Sequence, residues 1–155
     1  MKAHRRVDVD SRPRDLYDED FLAWTERTAD LLRRARFAAI DVDHLAEEVE
    51  DMGKRDVREA NSRVRIVLVH LLKWRHQPRK RSPSWRSTIV TQRQELADLL
   101  QQSPSLRAKL ATNLAAAYRS AVARAVAQTK LAASEFDAES PFSLDQVLSD
   151  TFLPD

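Results

Sequence analysis

One glycine in the whole chain is the feature that most constrains its fold. Gly53 is the only glycine among 155 residues, and cysteine is absent. Loops that hold phosphates need several glycines, because only glycine lets the backbone approach a phosphate closely. Nucleotide-binding folds of the Rossmann or P-loop kind are therefore not expected. Without cysteine, the chain also lacks a disulfide scaffold, a thiolate nucleophile and cysteine-based metal sites.

The apolar composition favours helices. Hydrophobic residues make up 43% of the chain, and 21 of them are alanine, the best helix former. The sequence therefore predicts an all-α fold, a compact helical bundle of four to five main helices plus a short C-terminal helix. The length suits a single domain, which we expect over residues 15–155, after a flexible basic arm at residues 1–14.

Nothing in the sequence indicates a membrane segment or an export signal. No run of about 18 apolar residues occurs. The basic residues 1–6 are not followed by the apolar stretch of a secretory signal. We therefore expect a cytoplasmic protein that does not contact a membrane.

Apolar spacing predicts the helices of the first half. A helix starting near Asp15 is expected to bury one face, whose residues recur at three- and four-residue spacing: Phe21, Trp24, Thr28, Leu31 and Leu32. A longer helical stretch runs from about Asp43 to His76. Because glycine favours helix ends, this stretch is expected to break at Gly53.

Prolines and serines mark the helix boundaries of the second half. Residues 75–84 contain two prolines and predict a loop. Helix caps are expected at Ser84, at Ser103-Pro104 and at Ser143. The helix that follows Ser103-Pro104 is expected to fade near Ala133.

Charge is strongly segregated along the chain, although the net charge is only +2. Residues 41–59 hold eight acidic and three basic side chains, a net charge of −5. Residues 60–94 hold nine basic side chains and no acidic one, a net charge of +9. Such blocks bear on possible partners more than the total does.

The basic block contains a loop flanked by tryptophans at residues 73–86, which we call the basic loop. Basic side chains neutralise phosphates, and aromatic rings can stack on unpaired bases, so a protein or nucleic-acid partner of negative charge is one hypothesis. The alternative is structural, with the tryptophans packed in the core and the acidic segment 41–59 as the partner of the positive charge. The candidate binding residues are Lys73, Trp74, Arg75, Arg79, Lys80, Arg81, Trp85 and Arg86.

A second candidate site is an ion network. On a helical wheel, Glu47 and Glu50 fall near the side of the apolar stripe, and so does Arg93 on its own helix. A buried charge needs a partner, so a partly buried network of Glu47, Glu50 and Arg93 is the structural prediction. The alternatives are a carboxylate metal site or general base, and a face exposed to solvent.

Histidines and serines give little support for catalysis. His70 and His76 are six residues apart, which puts them on different helix faces rather than in the spacing of a helical zinc motif. A structural role is expected for His70. No serine stands in a glycine-flanked nucleophile elbow. We therefore assign no catalytic residue, no metal and no cofactor from the sequence.

Several short motifs, in this order and spacing, resemble the DUF29 family, a domain of unknown function. Together they cover about residues 15–154. The resemblance implies a bacterial α-helical bundle and no particular activity. The motifs are Tyr17–Phe21 with Trp24, Leu45–Gly53, His70–Trp74 with Gln77-Pro78, Arg81–Trp85 with Ile89 and Gln92-Arg93, Ser103–Leu106, Pro141–Leu144 and Phe152–Pro154.

The sequence supports two expectations about function. The first is a bacterial interaction protein without enzymatic activity, which acts through the basic loop or a helix face and could form homo-oligomers. The alternative is a metal-dependent or carboxylate-based enzyme with a site inside the bundle, built from residues such as Glu47, Glu50 and His70.

Overall fold

A computed structural model describes residues 13–155, and these residues form helices and no strand. Four of the helices are long, so the prediction of an all-α fold is confirmed. Short 3₁₀ turns occur at Phe37–Ala39, Pro78–Lys80 and Ala133–Glu135. The α-helices are α1 (Pro13–Glu19), α2 (Phe21–Arg33), α3 (Val42–His76), α4 (Pro83–Gln102), α5 (Leu106–Thr129) and α6 (Leu144–Leu148).

The described part of the chain divides into two compact units, one that ends at Gly53 and one over Lys54–Asp155. The predicted arm at residues 1–14 lies outside the described residues except for Pro13 and Arg14, which belong to α1. Among the described residues, no helix combines the length and the apolar character that crossing a bilayer requires.

Asp20 divides the first predicted helix in two. Its backbone is extended, and its side-chain Oδ1 accepts a hydrogen bond from the Ala23 amide at 3.0 Å, the arrangement of an N-cap. A single helix from Asp15 is therefore wrong, and α2 starts one residue after this cap. Trp24, Thr28 and Leu31 of α2 are buried as predicted, whereas Phe21 and Leu32, predicted on the same face, are 49% and 43% exposed.

Helix α3 runs without a break through Gly53. The predicted helix end at this residue is wrong. Gly53 is exposed, and a Cβ added there would meet no atom within 4 Å. Glycine in an exposed helix costs only about 1 kcal/mol relative to alanine. The apolar stripe that follows on α3 outweighs that cost, because each fully buried aliphatic side chain contributes about 1.5–3 kcal/mol.

The core of the second unit is built around that stripe. Val64, Leu68, Leu71 and Leu72 are at most 1% exposed. They pack in one cluster with residues of α4, α5 and α6 and with Phe152 and Leu153, which follow α6. Other members of the cluster are Ile89, Leu96, Leu110, Tyr118, Ala121, Phe142 and Val147.

Several helix ends differ from their predicted positions by a few residues. The hydroxyl of Ser82, not Ser84, caps α4 by accepting from the Trp85 amide. Helix α5 starts at Leu106 after a turn, rather than at Pro104, and ends at Thr129 rather than near Ala133. Ser143 caps α6 as predicted.

Candidate functional site

The basic loop joins α3 to α4. Its first residues form the last turn of α3, Arg79 and Lys80 lie in the 3₁₀ turn, and Trp85 and Arg86 lie in the first turn of α4. Pro78 and Pro83 each occupy an early position of the helical segment that they enter, where a missing amide hydrogen costs nothing. The candidate residues of the basic loop therefore lie on two helix ends and one turn.

Two cations of the basic loop lie against its tryptophans. The Lys73 Nζ lies 4.4 Å from the centre of the Trp85 ring and donates to Gln128 Oε1 at 3.1 Å. The Arg81 guanidinium lies 5.3 Å from the centre of the Trp74 ring, and its Nε donates to the Trp74 carbonyl at 2.9 Å. Such cation–π contacts hold both ends of the basic loop together.

These contacts limit what the tryptophans can do. Both rings are half-buried, and each has a cation of the chain itself on one face. Burial also lowers the pKa of Lys73, because the charged form loses solvent. The four residues Lys73, Trp74, Arg81 and Trp85 thus contact one another within the basic loop, and stacking of bases on the tryptophans stays a prediction.

The remaining four candidates point their charge to solvent. Arg75 is exposed and pairs with Asp137, with 3.1 Å between Nη1 and Oδ2. Arg79, Lys80 and Arg86 are exposed and have no ion-pair partner among residues 13–155. Because residues 60–94 contain no acidic side chain, the charge of these three is not neutralised by the surrounding segment. We call Arg79, Lys80 and Arg86 the outer cations.

Arg93 is buried, as predicted, but the structure corrects its partners. Its Nε, Nη1 and Nη2 donate to the carbonyl oxygens of Val147, Phe152 and Gln146 at 2.9, 2.9 and 3.0 Å. Burial lowers the pKa of this guanidinium. Arg93 therefore binds the backbone of residues 146–152, which we call the C-terminal segment. The prediction that Arg93 has carboxylate partners is wrong.

The two glutamates of that predicted network are exposed. Glu47 and Glu50 lie on the solvent side of α3, which agrees with the alternative of a solvated face. The glutamate that is half-buried is Glu48, whose Oε1 accepts a hydrogen bond from the Tyr17 hydroxyl at 2.7 Å. Being in phase with the apolar stripe does not bury these glutamates, because they belong to the first unit whereas the buried stripe of α3 belongs to the second.

The alternative prediction, a metal-dependent enzyme, needs a set of metal ligands, and the part of the chain that the structure describes contains none. There, no three side chains of His, Asp or Glu lie close enough together to hold a metal ion. The Nδ1 of His70 donates to the Ile66 carbonyl at 2.9 Å. Burial lowers the pKa of His70, so this hydrogen bond belongs to a neutral imidazole.

A cluster in the first unit was missed by sequence reasoning. The Nδ1 of His44 donates to Asp41 Oδ2 at 2.6 Å, and the imidazole stacks on the Tyr17 ring with centres 3.9 Å apart. This hydrogen bond raises the pKa of His44, and the bond to Glu48 raises the pKa of Tyr17 to about 12. The spacing of Asp41 and His44 could have predicted this pair, since an acidic N-cap faces the third residue of its helix.

A helix face, the other surface expected to contact a partner, is available on the first unit. Val42, Val49 and Met52 of α3 are each about 60% exposed. Their spacing of seven and then three residues puts them on one side of the helix. This surface is apolar enough for a protein contact, and its use as such stays a prediction.

Comparison with known proteins identifies a family. A family model described as a domain of unknown function, DUF29, matches residues 16–153. No curated protein and no solved structure matches the chain significantly.

Proposed function

The chain belongs to the DUF29 family, whose description names no activity, and from this premise we propose a function on the geometry of the site alone. The protein is an interaction protein without enzymatic activity, and the basic loop binds an anionic partner. The partner that fits best is a nucleic acid, recognised through its phosphates. A bacterial, cytoplasmic setting is part of the same proposal.

The outer cations are the observation that carries this proposal. Arg79, Lys80 and Arg86 are exposed within a segment of net charge +9, and no carboxylate pairs with them in residues 13–155. Phosphates attract such cations and release their counterions on binding, which makes the affinity strongly dependent on salt. The inner contacts of Lys73 and Arg81 hold the turn that carries Arg79 and Lys80.

The arrangement favours contact with the phosphate backbone over readout of bases. A cation already lies on one face of each tryptophan ring, which leaves at most one face for stacking on a base. Contacts to phosphates carry no sequence information. We therefore expect binding that depends little on nucleotide sequence.

The test compares nucleic-acid binding by two variants that lose the same charge. R79A/K80A/R86A removes the outer cations, and R27A/R33A/R36A removes three exposed arginines of the first unit. Binding of a labelled duplex DNA and a labelled single-stranded RNA is followed by fluorescence anisotropy at low salt. We expect the first variant to bind at least about tenfold more weakly than wild type, whereas the second stays close to wild type. Equal losses in both variants, or no binding by wild type, would contradict the proposal.

A further inference from the structure

A cleft between α3 and α5 of the second unit contains an arginine, Arg65, that has no ion-pair partner within residues 13–155. None of its lining residues belongs to the basic loop. The cleft has a volume of about 190 Å³. Its lining residues are Asn61, Arg65, Asn113, Ala116, Ala117 and Ser120.

Helical spacing brings the polar groups of the cleft together. Asn61 and Arg65 are four residues apart on α3, and Asn113, Ala117 and Ser120 follow at intervals of four and three on α5. Residues at these intervals share one face of a helix. The alanines leave space between the helices, so a small group can enter between the polar side chains.

Arg65 is the unexplained group of this cleft. Its side chain is half-buried, and its Nε is buried without a hydrogen-bond partner. Within residues 13–155 the guanidinium has no ion-pair partner either. Buried donors in native proteins are nearly always paired, and each exception calls for an explanation such as a bound ion.

The walls of the cleft carry positive charge and no carboxylate. Helix α5 contains four basic residues and no acidic one. The part of α3 from Ala60 to His76 contains no acidic residue. No side chain of these two stretches can therefore neutralise Arg65, and the local potential favours an anion.

The hydrogen-bonding groups indicate which anion fits. A guanidinium donates to two oxygens of one phosphate or carboxylate, and the Asn113 amide and the Ser120 hydroxyl are further donors. The Asn61 amide nitrogen already donates to the Val57 carbonyl at 2.9 Å, so the Asn61 side-chain oxygen is left as an acceptor. An acceptor beside these donors suits an anion that carries a hydroxyl.

We propose that this cleft binds inorganic phosphate, as hydrogen phosphate. Hydrogen phosphate has both the charged oxygens that Arg65 needs and the hydroxyl that can donate to Asn61. Sulfate has no proton at neutral pH and lacks the second contact. The volume of the cleft is below the range of about 300–1,000 Å³ that pockets for drug-sized ligands occupy, which suits an ion of the size of phosphate.

Calorimetric titration with inorganic phosphate tests this inference, with sulfate at equal ionic strength as the comparison. We expect wild type to bind phosphate more tightly than sulfate. R65Q is expected to weaken phosphate binding at least about tenfold, because it removes a charged donor pair. The matched control is R58Q, which removes an exposed arginine of the same helix and is expected to change the affinity by less than about twofold.

Equal phosphate affinity in wild type and R65Q would overturn the inference, and so would the absence of phosphate binding by wild type. If R65Q fails to fold, N113A/S120A removes two donors from the same cleft and is expected to weaken binding as well. A second readout is the NMR signal of the Arg65 Nε–H group, which phosphate is expected to shift in R58Q as in wild type.

The phosphate site and the proposed function can fail separately. R79A/K80A/R86A is expected to keep phosphate binding at the cleft while losing nucleic acid. R65Q is expected to keep nucleic-acid binding while losing phosphate. Loss of both activities in both variants would mean that one shared surface binds all anions.

Discussion

The glycine of this chain lies inside a helix, whereas two other residues adopt the left-handed backbone angles that glycine prefers. Gly53 lies inside α3, where alanine is the better residue. Ala35 and Lys130 follow helices with φ angles of 54° and 65°, in the left-handed region that glycine prefers. The expectation that glycine marks a helix end failed at Gly53, because the buried stripe of α3 outweighs the cost of glycine in a helix. The ends of α2 and α5, in turn, do without glycine.

Replacing Gly53 by alanine is expected to stabilise the protein. The gain is about 1 kcal/mol, since alanine loses less backbone entropy and the added Cβ meets no atom within 4 Å. Urea denaturation monitored by circular dichroism measures this gain. A lower midpoint for G53A would show that α3 needs glycine at this position for a reason other than helix propensity.

His44 is expected to make stability depend on pH. Its pKa is raised above 6.5 in the folded state, mainly by the hydrogen bond to Asp41. A raised pKa means that the folded state binds the proton more tightly than the unfolded state. The contribution is therefore complete below the unfolded pKa and is lost as the pH rises through the folded pKa.

Thermal melting between about pH 6 and pH 8 measures this contribution. The midpoint of wild type is expected to fall with rising pH by more than that of H44Q, which has no proton to lose. D41N, which removes the carboxylate partner, is the second control and is expected to behave like H44Q. Parallel pH profiles for wild type and both variants would show that the pair contributes nothing.

At the scale of elements, the sequence predicted which segments are helical better than where they end. The apolar stripe of α3 and the capping of α6 by Ser143 follow from local patterns, and both are present. The cap at Ser82 and the division at Asp20 depend on single side-chain hydrogen bonds, for which neighbouring serines and acids compete. Apolar periodicity does not decide between such neighbours.

The C-terminal segment is attached to α4 by Arg93. Three of its carbonyls accept from one buried guanidinium, so losing that group leaves one buried and two partly buried acceptors without their donor. R93M is therefore expected to destabilise the protein by at least about 2 kcal/mol. R86M, which changes an exposed arginine of the same helix, is expected to stay within about 0.5 kcal/mol.

Hydrogen exchange locates the effect of R93M. We expect faster exchange of the backbone amides of residues 146–152 in R93M than in R86M. Equal free energies of unfolding and equal exchange in the two variants would contradict the role of Arg93. The sequence showed that Arg93 needs partners, but it could not show that these partners are backbone carbonyls more than 50 residues away.

At the scale of the whole molecule, the charge segregation seen in the sequence is the property that the proposed function uses. The sequence identified the basic loop and its eight residues. It could not separate the cations of the basic loop that have partners from the outer cations. Lys73 and Arg75 contact Gln128 and Asp137, which lie far along the chain. The cleft at Arg65 was missed for the same reason, since its two walls come from separate helices.

The salt dependence of nucleic-acid binding tests the central claim most directly. Each phosphate contact contributes about 0.7–0.9 to the slope of log K against log salt concentration, so three outer cations account for about 2 to 3 units. We predict that R79A/K80A/R86A lowers the slope by about this amount, whereas R27A/R33A/R36A leaves it unchanged. An unchanged slope for R79A/K80A/R86A would contradict the claim that the basic loop binds phosphates.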